Sequence, residues 1–254
     1  MHWDPSQYMK FADHRIRPAI DLLNRVELTH PSTIYDLGAG AGNITKILAS
    51  RWPQARVTGI DESKEMLSDK KLATNIDWQV RDIRSWCPEN PVDLIFSNAA
   101  LHWLPDHERL FPKLMSFVTS GGIFAVQMPT NFNAPSHLAI SEAVHSGPWR
   151  SKIERLLNPS PVKTPDFYIK LLMPMCDLLD VWETEYQQIL FGDNPVKEWT
   201  KGTWLKPLLD ALEEPERSYF EEYYAEIVSR SYPKETDGST VFPFRRLFLI
   251  AKRQ

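Results

Sequence analysis

Cysteine is almost missing from this sequence, with Cys87 and Cys176 the only two thiols in 254 residues. They show no metal-ligand spacing and build no disulfide framework, so ordinary reduced thiols and no metal centre are expected. Long apolar runs are missing too. No stretch approaches the roughly 18 continuous apolar residues that a membrane-spanning helix needs. A basic surplus is also lacking: 29 Lys and Arg stand against 33 Asp and Glu, a net charge of −4. With no basic run of five or more, the chain carries no electrostatic footprint for nucleic acid. The start, Met1-His2-Trp3-Asp4-Pro5, has neither the basic nor the apolar segment of a secretory signal, which points to a cytoplasmic protein. There is no internal repeat and no low-complexity segment.

What is present is a soluble composition, 43% hydrophobic and 24% charged, that fits one large α/β domain or a domain with a cap built from insertions. The chain turns on Ile34-Tyr35-Asp36-Leu37-Gly38-Ala39-Gly40-Ala41-Gly42-Asn43. An apolar run ends in an acid, three alternate glycines follow, and a helical pattern opens at Asn43. That reads as a strand, a tight turn and a helix start. Glycine suits a turn with unusual backbone angles and a ligand that must meet bare backbone. The helix N-terminus beyond it offers N–H groups and positive potential to a carboxylate or phosphate. Asp36 can accept from a ligand ammonium or from the loop's own amides. The dinucleotide pattern G-x-G-x-x-G fails here, because the sixth position counted from Gly38 is Asn43.

Further strands are expected at 56–60, 76–80, 92–96, 123–127, 180–190 and 244–251. The first of these ends at Asp61, about 20 residues past the loop, where doubly wound folds grip a ribose hydroxyl pair. A helix-capping role before Glu62-Ser63 is the other reading of Asp61. Asp82-Ile83 follows the third strand, offering a carboxylate to an exocyclic amine and an apolar side chain to a purine. The fourth strand runs into Ser97-Asn98-Ala99-Ala100-Leu101-His102-Trp103-Leu104. Its end lies at the ligand crevice of an open parallel sheet, which makes Asn98, His102 and Trp103 candidate contacts. Helices are expected after Ser6 (with Tyr8 and Phe11), from Pro18, over 63–71, over 106–118, around 137–145, over 166–173 and through 194–230. The fifth strand starts after Gly121-Gly122.

These elements divide the chain into a core over 1–129 with N-terminal lid helices, a first cap insertion at 130–160, a core helix and strand at 161–190, a second insertion at 191–242 and a final core strand at 243–254. Insertions on the strand-end side would roof the crevice and form a substrate pocket.

The chain resembles the class I S-adenosylmethionine-dependent methyltransferases. The resemblance rests on Trp3-Asp4-Pro5-Ser6-Gln7-Tyr8, Arg15-Ile16-Arg17-Pro18-Ala19, the D-x-G-x-G-x-G loop, Gly59-Ile60-Asp61, Asp82-Ile83-Arg84-Ser85-Trp86, the segment from Asp93 through Trp103-Leu104-Pro105-Asp106-His107, and Val126-Gln127-Met128-Pro129. It is dense in the N-terminal half and thins between 132 and 240. It implies a Rossmann-like sheet of seven strands, the last antiparallel, with a helical cap. It also implies S-adenosyl-L-methionine as cofactor, contacted by Asp36, Gly38, Gly40, Gly42, Asp61, Asp82, Ile83 and Asn98.

The reaction it implies is methyl transfer to a carboxylate oxygen of a small polycarboxylic acid, with trans-aconitate the foremost candidate. A carboxylic acid is already ionised at neutral pH, so no catalytic base is required. Cations should hold the carboxylates that do not react, and Arg150 and Arg246 are the candidates. Tyr8, His102, Trp103, Tyr186 and Trp199 complete the expected substrate contacts. Another small acid, or a phenol with His102 as base, is the nearest rival substrate. A binding module that keeps the cofactor fold without catalysis is the rival of another class.

Overall fold

The computed structural model describes residues 12–64 and 75–254, with side chains from Ile16 on. The expected helix at Ser6, Tyr8 and Phe11, and most of the one over 63–71, lie outside the described residues.

Among the described residues the strands are β1 (Thr33–Leu37), β2 (Arg56–Asp61), β3 (Ile76–Val80), β4 (Val92–Asn98), β5 (Val118–Pro129), β6 (Cys176–Phe191) and β7 (Ser239–Arg253). They form one sheet in the order β3-β2-β1-β4-β5-β7-β6. β1 to β5 pair in parallel, and β7 runs antiparallel to β5, as the resemblance implied. The strand order reverses at β1 and β4, and such a reversal is where open α/β sheets bind ligands. β4 is apolar on both faces except at its ends, the signature of a central parallel strand covered on both sides.

The helices are α1 (Ala12–Leu23), α2 (Asn43–Arg51), α3 (His107–Ser116), α4 (Pro135–Ser146), α5 (Arg150–Ile153), α6 (Pro165–Leu172), α7 (Pro195–Lys201), α8 (Lys206–Asp210) and α9 (Glu216–Ser231). Two expected boundaries need correction. α1 does not start at Pro18 but at Ala12, and carries Pro18 inside it at the expense of one backbone hydrogen bond. β5 does not start after Gly121-Gly122 but runs through them. Its register with β4 slips between the pairs Val92–Val118 and Leu94–Ile123. The glycines serve that bulge: Gly121 has φ +76°, and a Cβ on Gly122 would stand 2.8 Å from the Asp93 carbonyl oxygen. The long helical block expected over 194–230 is three helices, broken by Gly202 and by the prolines 207 and 215.

From Arg15 onward the chain divides into two compact units. One holds Arg15–Pro129, Pro161–Thr184 and Arg246–Gln254. Its core packs Leu37, Ile95, Phe111, Phe124, Val126, Tyr168 and Leu249 together. The other holds Thr130–Ser160 and Glu185–Arg245, with a core of Val144, Trp149, Trp199, Phe220, Tyr224 and Phe242. Two of its buried polar side chains bond to main-chain carbonyls. The Tyr224 hydroxyl donates to the Ser136 carbonyl at 3.1 Å, and the Trp149 indole to the Ala143 carbonyl at 2.8 Å.

Candidate active site

The glycine loop joins β1 to α2, and each glycine answers a different demand. Gly38 has φ +79°, and a Cβ there would lie 2.1 Å from the Cβ of Ala100, so its bareness serves close packing. Gly40 has φ +51° and open space where its Cβ would be. Gly42, left-handed at φ 76°, opens α2, and no side chain caps that helix end. The amides of Gly38 and Ala39 both donate to the Ile60 carbonyl, at 2.8 and 2.9 Å, pinning the loop to β2.

Two acids set this geometry. Asp36, 2% exposed, accepts from the Thr45 hydroxyl at 2.6 Å and so ties β1 to α2 across the turn. Asp61 uses one carboxylate oxygen to accept from the Gly40 amide (2.8 Å) and the other from the Ser63 amide (3.0 Å). The Ser63 bond is the counterpart of the capping reading of Asp61. This side chain caps the chain after β2 and also presents a carboxylate beside the open side of Gly40, where each oxygen keeps a further lone pair.

Asp82 follows β3. The Arg84 guanidinium donates to both its oxygens at 2.7–3.0 Å and the Arg84 amide adds a fourth bond. These bonds hold its carboxyl below the usual carboxylate range. Ile83 packs half-buried against the core.

At the end of β4, Asn98 keeps its side-chain oxygen buried without a hydrogen-bond partner among the described residues. The next residue, Ala99, is left-handed at φ 52°, and its amide donates to the Gln127 carbonyl at 2.9 Å. Leu101–Trp103 form a single 3-10 turn in which His102 is buried with its ring 4.6 Å from that of Trp103. His107 clamps this turn from α3. Its Nε2 donates to the Leu101 carbonyl at 3.0 Å and its Nδ1 accepts from the Tyr168 hydroxyl at 2.6 Å. The carbonyl fixes the tautomer, and burial pushes the imidazole pKa down, keeping the ring neutral.

Arg246, 3% exposed, stands on β7 and donates from Nη1 to the Gln127 side-chain oxygen at 3.2 Å. Gln127, fully buried on β5, was not anticipated as a functional residue. A glutamine closing the run Ile123-Phe124-Ala125-Val126 reads only as a strand end. The signal that would have found it is its place level with Asn98.

In the other unit, Arg150 is half-exposed and binds Glu154 through two hydrogen bonds of 3.0 Å, which favour the charged form of both groups. Trp199 is buried against Phe242 and Phe244, and Tyr186 is buried on β6. Tyr8 lies outside the described residues.

A cavity of about 490 Å³ opens over the face of β1, β2 and β3, lined by Tyr35, Thr58, Gln79 and Trp86 among others. It includes none of the glycine-loop residues. The chain forms no helix between β3 and β4, so this is sheet surface that a crossover helix would cover. Among the described residues no cluster of His, Cys, Asp and Glu can hold a metal ion.

The arrangement offers an uncapped helix start, an open glycine, a fixed carboxylate and an unpaired acceptor at the switch point of a parallel sheet. That suits a nucleoside-bearing ligand with a cationic amino group. A family model described as a methyltransferase domain matches residues 34–122. Trans-aconitate 2-methyltransferase of Azoarcus sp. (strain BH72) is 43% identical over 252 residues, covering 99% of each chain. The enzyme of that name from Streptomyces avermitilis is 42% identical over 99% of this chain and 97% of its own. For Pseudomonas aeruginosa (strain UCBPP-PA14) the identity is 41% over 98% and 93%. Among solved structures, YcgJ of Bacillus subtilis aligns with a TM-score of 0.57 at 18% identity, over 94% of this chain and 99% of its own. Coclaurine N-methyltransferase bound to N-methylheliamine and SAH aligns at 0.53 and 15%, over 94% and 72%. At these identities the two structures establish the fold alone.

Proposed function

We infer the reaction from one premise: the chain belongs to the trans-aconitate 2-methyltransferase family. It is an S-adenosylmethionine-dependent O-methyltransferase that methylates a carboxylate oxygen of trans-aconitate, giving the monomethyl ester and S-adenosylhomocysteine. The observation that carries this reading is identity of 43% sustained over 99% of the chain. The match does not stop at residue 132, so the second half of the chain is related as well as the first.

The cofactor supplies a methyl group on a positively charged sulfur. The residues present fit it. Open space at Gly40 admits a ligand against the backbone, Asp61 offers its free lone pairs to the ribose hydroxyls, and the Asn98 oxygen is an acceptor for the ammonium group. Asp82 and Ile83 are assigned to the adenine, with Asp82 already oriented by Arg84.

The acceptor oxygen attacks as a carboxylate, so no side chain needs to remove a proton. The bond from carbon to sulfur breaks as the ester bond forms, and the electron pair stays on sulfur. The protein's task is to align anion and cation. Such positioning supplies about 7–11 kcal/mol of barrier reduction. Arg246 is assigned to a carboxylate of the substrate that does not react. Cys87, a free thiol at the surface, fits a reducing cytoplasmic setting. Among the described residues no helix is long and apolar enough to cross a membrane.

The test is transfer of label from methyl-labelled S-adenosylmethionine to trans-aconitate, compared with other small acids and with phenols. An acid-extractable ester formed from trans-aconitate is expected. Label passing only to a phenol, at a rate that rises with pH, would overturn the assignment.

A further inference from the structure

The carboxyl-terminal ends of β4 and β5 and the middle of β7 place three polar side chains in one row. Asn98 and Gln127 are register partners on parallel strands, so their side chains leave the sheet on the same face. Gln127 is level with Phe248 on β7, and Arg246 lies two residues along from Phe248, hence on that face too. The Arg246 Nη1 donates to the Gln127 oxygen at 3.2 Å. Arginine has no acceptor, so this bond decides which way the glutamine amide faces. Its oxygen is turned to the arginine, and its nitrogen is presented on the other side.

That nitrogen is buried and has no hydrogen-bond partner among the described residues, and neither has the neighbouring Asn98 oxygen. Buried amide groups of this kind are normally satisfied. Two orphans side by side at the carboxyl ends of parallel strands, one donor and one acceptor, mark a place that a ligand completes. The acceptor matches the ammonium group of the methyl donor. The donor matches an anion.

We propose that Gln127 binds the reacting carboxylate of the substrate through its side-chain nitrogen and so selects which carboxylate is methylated. This rests on the methyl-transfer reading above. The chemistry favours a glutamine at this point. A guanidinium against the reacting oxygen would draw off the negative charge that makes it a nucleophile. A neutral N–H orients the carboxylate and leaves most of that charge in place. Arg246 acts on the same group indirectly, by holding the amide in the orientation that exposes its nitrogen.

The experiment compares the parent with Gln127→Met and Gln127→Glu. Folding is checked by thermal denaturation and cofactor affinity by calorimetry with S-adenosylhomocysteine. In Gln127→Met, kcat/KM for trans-aconitate is expected to fall about 10- to 100-fold, the range for one hydrogen bond to a charged group. Cofactor affinity should stay within about twofold, and the ratio of monomethyl ester isomers should shift. Gln127→Glu sets a negative charge against the carboxylate and should lose more activity than Gln127→Met. A folded Gln127→Met enzyme with the parent's kcat/KM and isomer ratio overturns the proposal. So does a variant whose losses are fully accounted for by weakened cofactor binding. A parent that methylates trans-aconitate while both variants match it removes this role alone. A parent that ignores trans-aconitate removes the functional reading and this role with it.

Discussion

The Cβ of Ala100 occupies the space that a side chain on Gly38 would need, 2.1 Å from where that side chain's first carbon would stand. The glycine loop and the segment after β4 are thus packed backbone to side chain. Gly40, two residues on, faces nothing within 4 Å. Replacing the two should act differently, on packing at Gly38 and on cofactor binding at Gly40. Gly38→Ala should destabilise the fold by roughly 1–3 kcal/mol, because neither backbone nor Ala100 can retreat cheaply. Gly40→Ala should cost about 1 kcal/mol, the price of a left-handed alanine. Gly40→Val should leave far-UV circular dichroism nearly unchanged and abolish cofactor binding. Denaturant melts and calorimetry on all three variants check this. Normal cofactor binding by Gly40→Val would reduce the loop to a turn.

Asp61 has two tasks that one substitution removes together. Its carboxylate holds the Gly40 and Ser63 amides at 2.8 and 3.0 Å and is the group proposed for the ribose hydroxyls. Asp61→Ala should weaken S-adenosylmethionine binding by about 1.5–3 kcal/mol, the scale of charge-assisted hydrogen bonds. Asp61→Asn keeps one acceptor and should retain part of that affinity. Equal affinity for parent and Asp61→Ala by calorimetry would take Asp61 out of the site.

How much of this could be read in advance differs by element. β1 to β4 were legible because apolar runs of strand length are bounded by turns and end in polar residues or lead into them. The start of β5 was not, since a glycine pair looks like a turn and becomes a bulge only when Asp93 lies beside it. Spacing singled out the three acids and three glycines as candidate cofactor contacts. Their division of labour was not legible, because it depends on neighbours distant in sequence: Ala100 for Gly38 and Thr45 for Asp36. Gln127 was invisible for the same reason. Its meaning comes from Asn98 and Arg246, which only strand register brings alongside.

His107 and His137 tie stability to pH. Burial lowers the pKa of His107. In the other unit, desolvation beside Phe132 and Trp204 lowers that of His137 to about 4. Unfolded, both titrate near about 6.5. Above that pH both states are neutral and the stability is fully present. As pH falls below it, the unfolded chain takes up protons that the folded chain refuses, and stability declines. The slope is up to about 1.4 kcal/mol per pH unit per histidine, for His137 down to its folded value. Thermal melts from pH 8 to pH 5 should show a falling midpoint, with a shallower fall in His137→Gln. An identical pH dependence in parent and variant would rule out this contribution from His137.

The two arginines proposed from sequence for substrate carboxylates meet different surroundings. Arg150 is half-exposed and its guanidinium is already matched by the Glu154 carboxylate, a local pair of the kind that contributes little to stability. Arg246 is 3% exposed, level with the last residue of β5, and donates to an amide oxygen. A substrate with several carboxylates would bring anions to this face of the sheet, and a guanidinium suits them through charge-assisted hydrogen bonds. Met keeps much of the arginine's apolar stem and removes its charge. Arg246→Met should therefore lower kcat/KM for trans-aconitate by about two to three orders of magnitude, the 3–4 kcal/mol of a buried charged pair with one partner removed. Arg150→Met should stay within a few-fold of the parent, and cofactor affinity should change little in either. Because Arg246 also turns Gln127, its loss should shift the ester isomer ratio in the same direction as Gln127→Met. Steady-state kinetics with separation of the two esters decides the matter. Parent-like kinetics in Arg246→Met would end the carboxylate role. A large loss in Arg150→Met instead would move that role to the helical unit.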